Sequence, residues 1–220
     1  MKSEHQLREE ICRVGASLFN RGYVHSTAGN ISARLDDGGL LITPTDACLG
    51  ALEPARLARL SAAGEQVSGD RASKTQGLHR HIYAWAAGSA CVIHTHSTHL
   101  VALTLSGVWR PDDILPPITP YYVMKVGHVP LIAYHRPGDP AVITEVTQRI
   151  EAFAARGTPI RAVMQERLGP TVWSASPAQA SAVLEELEET ARLWLLSSSK
   201  PAPLTPEQIQ ALRREFGAVW

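Results

Sequence analysis

Apolar residues near the N-terminus recur at helical spacing: Leu7, Ile11, Val14, Leu18 and Phe19 share one face, and Gly22 closes the run. That periodicity predicts an amphipathic helix. The pattern then shortens. Apolar stretches at 31–35 and 40–43 flank Asp36-Asp37-Gly38-Gly39, the composition of a hairpin turn. Residues 52–60 read as a short helix, and 61–67 as a turn leading into another short strand. Ser73 is an N-cap candidate for a helix through Thr75, Leu78, Ile82 and Trp85, stopped at Gly88. Residues 90–96 form an apolar strand whose polar residues come only at its end. Beyond it, 111–120 is proline-rich and irregular, and 129–134 reads as a strand followed by the turn Arg136-Pro137-Gly138-Asp139. A helix is expected over 141–154, with strands at 162–164 and 171–173 around Gly169-Pro170. A long amphipathic helix covers 177–196; its acidic run at 185–189 reads as a solvated face, and the Trp and Leu positions after it as core. Thr205-Pro206-Glu207-Gln208 opens a last helix. No repeat, low-complexity stretch or linker interrupts the series, so 1–220 is expected to be a single α/β domain.

Composition narrows the class of partner. At 220 residues, 45% hydrophobic and 19% charged, the chain can bury a full core. Lys+Arg and Asp+Glu both number 21, a balance that argues against nucleic acid or an anionic membrane as the main partner. A small anionic substrate held by a local cluster remains compatible. Cys12, Cys48 and Cys91 are far apart and lack metal-site spacing, which fits a reduced, cytoplasmic protein. The first 20 residues have no signal-peptide core, and no apolar run has membrane-spanning length.

Three segments carry candidate chemistry. His94 and His96 are two apart on the expected strand, so both imidazoles project from one face, at the strand's C-terminal end. Two imidazoles so placed begin a site for a divalent ion such as Zn²⁺; a pair of strand-end histidines satisfied by hydrogen bonds fits the spacing equally well. Residues 27–32, Thr-Ala-Gly-Asn-Ile-Ser, form either an anion-binding loop, in which Gly29 lets backbone amides approach and Asn30 adds donors, or a plain turn. Residues 69–75 join a helix N-terminus to the hydroxyls of Ser73 and Thr75 and the charge of Lys74, a phosphate-binding combination or a capped surface helix. His79 and His81 lie about 200° apart around a helix, so only His79 can face inward.

Taken together, TAGNIS (27–32), LLITPT (40–45), GDRASK (69–74) and VIHTHS (92–97) resemble, in order and spacing, the class II aldolase/adducin family. The stretches 119–139 and 184–196 are most similar to its 3-oxo-tetronate 4-phosphate decarboxylase branch, in bacterial sugar-acid catabolism. The resemblance implies a three-layer α/β/α fold with a mostly antiparallel central sheet. It implies a cytoplasmic homotetramer with active sites at subunit interfaces, and a carbon–carbon lyase acting with a divalent metal, zinc foremost. By position it makes Gly29, Asn30, Thr43, Ser73 and Lys74 a phosphate or substrate cradle and His94 and His96 metal ligands. It places an acid at Tyr121 or Tyr122, presented to a neighbouring subunit; Tyr122 is carried forward as the candidate.

Two positions depart from the family. Thr75 stands where relatives carry a Glu that is both ligand and base, and Leu168 where they carry a third histidine ligand. A hydroxyl cannot act as a base near neutral pH, and Leu cannot bind metal. Thr75 is retained as the catalytic-position residue, with His128, His135 and Glu166 as candidate replacement ligands. The departures leave three readings open: a decarboxylase with a rearranged ligand set, the same fold on another keto or aldol substrate, and a non-catalytic family member.

Overall fold

The computed structural model describes residues 2–220, which divide into two compact units. Unit 1 is the chain up to His96 with Trp173–Ser181, and unit 2 is Ser97–Val172 with Ala182–Trp220.

Unit 1 opens with α1, Glu4–Asn20, started by a Ser3–Gln6 capping box and burying Ile11, Val14, Gly15 and Leu18. Gly15 is required by packing: a Cβ there would meet the Leu49 carbonyl oxygen at 2.7 Å. The strands are β1 (Asn30–Arg34), β2 (Leu40–Ile42), β3 (Ala58–Leu60), β4 (Gln66–Ser68) and β5 (Cys91–His94). They lie in the order β4-β3-β2-β1-β5, every neighbour antiparallel. The β1–β2 hairpin is closed by Leu35 N–H donating to Gly39 O at 2.8 Å, with Gly38 at φ 82. The helix expected over 52–60 is absent. Pro54 sits in a single 3₁₀ turn, Pro54–Arg56, and the chain then enters β3, where Ala58 and Leu60 are buried. Three residues are too few for a period-2 pattern to declare itself. Helix α2, Gln76–Trp85, begins later than expected, with Thr75 rather than Ser73 at its N-cap and no side-chain cap bond.

Unit 2 holds α3 (Thr98–Ser106), α4 (Ala141–Ala155), α6 (Pro206–Phe216) and most of α5 (Pro177–Leu196). Its strands are β6 (Leu131–Ile132), β7 (Ala162–Gln165) and the first four residues of β8 (Gly169–Ser174). β6 pairs with β7 in parallel and β7 with β8 antiparallel. With helices interspersed among mostly antiparallel strands, the class is the expected α/β.

Helix α3 has no sequence signal, because its cap comes from elsewhere. The Glu188 carboxylate on α5, only 3% exposed, accepts from His99 N–H at 2.9 Å, Leu100 N–H at 3.1 Å and the His99 ring at 2.8 Å. A carboxylate at a helix N-terminus satisfies orphan amides and the positive end of the helix dipole. The 185–189 run is therefore not wholly a solvated face. The core expected after it is also only partial, since Leu193 and Leu196 are exposed.

Candidate active site

The ends of β1, β2 and β5 bring most of the candidate residues together in unit 1. Asn30, the first residue of β1, stands in register with His94, the last of β5. The preceding Gly29 lies at φ 85, and a Cβ there would meet the His94 carbonyl oxygen at 2.8 Å. Only glycine lets this loop lie so close against the end of β5. The Asn30 side chain is buried, yet its Oδ1 has no hydrogen-bond partner. A buried amide oxygen without a partner costs free energy unless something in the functional state donates to it.

Thr43, just past β2, is fully buried and fixes two neighbours. Its Oγ1 accepts Ile31 N–H at 3.2 Å, and its carbonyl accepts Ser73 N–H at 3.2 Å. Ser73 Oγ lies 3.0 Å from Thr75 Oγ1 and accepts Thr75 N–H at 3.4 Å. Lys74, between them, is exposed. Gly29, Asn30, Thr43, Ser73 and Thr75 are thus linked through β1, β2 and the turn into α2.

His94 is buried at the strand end, and His96, two residues on, is half-buried beyond it. Their ring centroids are 5.2 Å apart at 75°. A third imidazole stands beside them: His25, exposed on the turn before the loop, has its ring 6.4 Å from His96 at 69°. Burial, and then the neighbouring His25, lower the pKa of His96, which favours the neutral ring. The sequence reading missed His25, whose turn follows no period; its only signal was its place two residues ahead of the glycine-bearing loop.

The inward-facing helix histidine is His79, and it lies in a different environment. It is fully buried, with Nδ1 2.7 Å from Ser32 Oγ, itself 2.6 Å from Tyr83 OH. Burial lowers its pKa to about 3, so it is neutral at ordinary pH. His81 is exposed.

In unit 2 the expectations need correcting. Tyr122 is fully buried with no partner for its hydroxyl, and its ring meets Trp220 edge-on at 5.7 Å. Burial, then the nearby Asp113, push its phenol pKa well above the usual value. A phenol so enclosed is poorly placed to be presented to another subunit; Tyr121, 58% exposed, is the one at the surface. Each candidate replacement ligand has a polar partner within unit 2. His128 Nδ1 lies 2.9 Å from Asp113 Oδ1, and His135 Nε2 lies 2.9 Å from Glu145. Glu166 accepts Tyr134 N–H at 3.1 Å. Leu168 is half-buried in the turn between β7 and β8.

Among the described residues no group of three His, Cys, Asp or Glu side chains is gathered as metal ligands would be. The donor chemistry fits an ion in part. With Zn–N of about 2.0–2.1 Å, two imidazoles at the tetrahedral angle have ring centroids about 5.2 Å apart. His94 and His96 have that spacing. The remaining family positions, Thr75 and Leu168, offer no donor that could complete it.

The glycine-bearing loop lies against the end of β5 beside the paired imidazoles, and comparison with known proteins gives this arrangement a family. Residues 9–195 match the Class II Aldolase and Adducin N-terminal domain. The chain belongs to this family. It is 57% identical to a 3-oxo-tetronate 4-phosphate decarboxylase of Cupriavidus necator over the full length of both chains. It is 40% identical to the protein of that name in Escherichia coli K12, covering 96% of this chain and 97% of the relative. The crystal structure of YgbL from Escherichia coli superimposes with a TM-score of 0.87 at 40% identity, covering 96% of this chain and all of that one.

Proposed function

We propose that the chain is a metal-dependent carbon–carbon lyase that decarboxylates 3-oxo-tetronate 4-phosphate. The observation that carries this reading is the end-to-end 57% identity to a relative of that name. The site geometry supports it: a cradle of Gly29, Asn30, Thr43, Ser73 and Lys74 adjoins the His94–His96 pair. In this reading the whole chain, 1–220, works as one cytoplasmic domain, assembled as a homo-oligomer, with a small-molecule substrate.

Lys74, at the turn into α2, supplies the charge for the substrate phosphate, and Ser73 a hydroxyl. The partnerless Asn30 amide oxygen accepts a substrate hydroxyl and so orients the sugar-acid chain. His94 and His96 hold the divalent ion, zinc foremost. When bound, such an ion supplies electrophilic stabilisation of the charge left as CO₂ departs.

Loss of CO₂ from a β-keto acid requires no proton removal from carbon, so a hydroxyl at Thr75 in place of a carboxylate is tolerable here and would not be in an aldolase. Thr75 then acts on position alone, holding Ser73 Oγ at 3.0 Å. The acid presented to a neighbouring subunit is in this reading the exposed Tyr121, since the Tyr122 hydroxyl is enclosed. The test is CO₂ release from 3-oxo-tetronate 4-phosphate by the purified protein supplied with zinc. Turnover is expected; absence of release with every divalent ion tried would leave another substrate or a binding role, the reading that Thr75 and Leu168 favour.

A further inference from the structure

At the end of β1 away from Asn30, unit 1 holds a second cleft. Asn30 and Arg34 begin and end that strand, so at about 3.3 Å per residue they stand about 13 Å apart. Arg34 follows Ser32 by two, and both side chains leave β1 on one face. That is the face on which Ser32 meets His79 and Tyr83 of α2. A cavity of about 140 Å³, open to solvent, is lined there by Arg34, Gly38, Ala62, Arg80 and Tyr83 among others. At about 30 Å³ per water, it has room for a group of phosphate size.

Two guanidinium groups line this cleft and no carboxylate does. Other arginines of unit 1 are matched: Arg8 and Arg59 share Glu4, and Arg56 pairs with Asp70. Asp36 and Asp37 of the adjoining hairpin lie outside the lining, and Asp37 is taken by Arg59. The Arg34 side chain has no hydrogen-bond or ion-pair partner among the described residues. Arg80 is seated by the turn at 61–65: its Nη2 donates to Ala62 O at 2.8 Å, and its guanidinium lies across Gly64, where a Cβ would meet Cζ at 2.9 Å. Its remaining N–H groups have no partner among the described residues. One fork is therefore fixed in place, and the other stands uncommitted beside the same cavity.

We propose that this cleft binds the phosphate group of a small anion, at a site separate from the cradle at Ser73 and Lys74. Two guanidinium forks carry two positive charges, which a phosphate dianion matches. Its oxygens point in several directions, so both forks can donate to it at once, whereas a carboxylate presents a single edge. The proposal is independent of the metal-dependent reading.

The experiment titrates the full chain with inorganic phosphate by calorimetry, in a Lys74→Gln background that removes the charge of the candidate active-site cradle. Saturable binding at millimolar phosphate is expected. Adding Arg34→Gln or Arg80→Gln should weaken it at least about tenfold, the scale of one lost charge-assisted contact. Arg34→Lys, which keeps the charge but not the fork, should fall between. The exposed Arg13, on α1, serves as control: Arg13→Gln should bind as its parent does. The phosphate-free melting midpoint of Arg34→Gln should match its parent, since the side chain is exposed and unpartnered. Glycerol 3-phosphate separates the two sources of the group: tighter binding than inorganic phosphate marks an organic phosphate as occupant, and equal binding marks the phosphate group alone. No saturable binding in the Lys74→Gln chain, or binding unchanged by both Arg34→Gln and Arg80→Gln, would overturn the proposal. So would an equal loss in Arg13→Gln, or malonate binding as tightly as phosphate.

Discussion

In unit 2, His99, His128 and His135 each hold a carboxylate, at 2.8, 2.9 and 2.9 Å, and the His128 ring is stacked on Trp220 at 4.4 Å. At the end of β5 in unit 1, His25 and His96 meet only at ring edges, with no carboxylate between them. A carboxylate accepting from one ring nitrogen fixes an imidazole's orientation. An imidazole kept neutral and half-buried, as His96 is, retains a lone pair for an ion. Residue type is the same in both places; what differs is the partner each ring meets, a carboxylate in unit 2 and another imidazole in unit 1.

The largest effect expected of breaking this contrast is at His94. On the metal-dependent reading, His94→Ala should take up no divalent ion and decarboxylation should fall on the order of a thousandfold, since the ion would stabilise the developing charge. Metal content by elemental analysis, together with CO₂ release, checks it; full metal content in this variant would remove His94 from the ligand set.

The next effect is on the pH dependence of folding. His79 binds a proton at about 3 when folded and near 6.5 when unfolded. The unfolded chain therefore takes up the extra proton as pH falls. The stability owed to a neutral His79 is complete above pH 6.5 and is lost progressively between 6.5 and about 3, on the order of 5 kcal/mol in total. Denaturant unfolding of wild type and His79→Gln across pH 7 to 4 should show a shallower slope in the variant; parallel slopes would contradict the buried neutral assignment.

Smaller effects come from the structural ties of unit 2. Glu188→Ala leaves the His99 and Leu100 amides of α3 without their acceptor and should cost about 3 kcal/mol in unfolding free energy. Tyr122→Phe removes a buried hydroxyl that has no partner, so stability should change by less than about 1 kcal/mol, with gain more natural than loss. Activity comparison sharpens the correction: Tyr121→Phe should slow turnover while Tyr122→Phe leaves it near wild type. The reverse order would return the acid's role to Tyr122.

What could be read from the chain follows how local each cause is. α1, α5 and α6 announced themselves because their periodicity, and for α1 and α6 their capping boxes, lie within the segment. α3 did not, because its cap is a carboxylate 89 residues away. β3 was hidden by having three residues after a proline turn. At the site, Gly29, Asn30 and the two β5 histidines stood out through loop composition and two-residue spacing. His25 comes beside His96 only through the folding of its turn, which no period in the sequence records. The choice between Tyr121 and Tyr122 depended on which of two adjacent phenols faces inward in a π-type turn, Tyr122–Val126, that helical spacing does not describe.

The measurement that bears most directly on the account is CO₂ release from 3-oxo-tetronate 4-phosphate by chelator-stripped protein before and after zinc is restored. Little release without the ion and recovery on adding zinc is the expected result. Release unaffected by chelation, or none with zinc present, would contradict a metal-dependent decarboxylase built on His94 and His96.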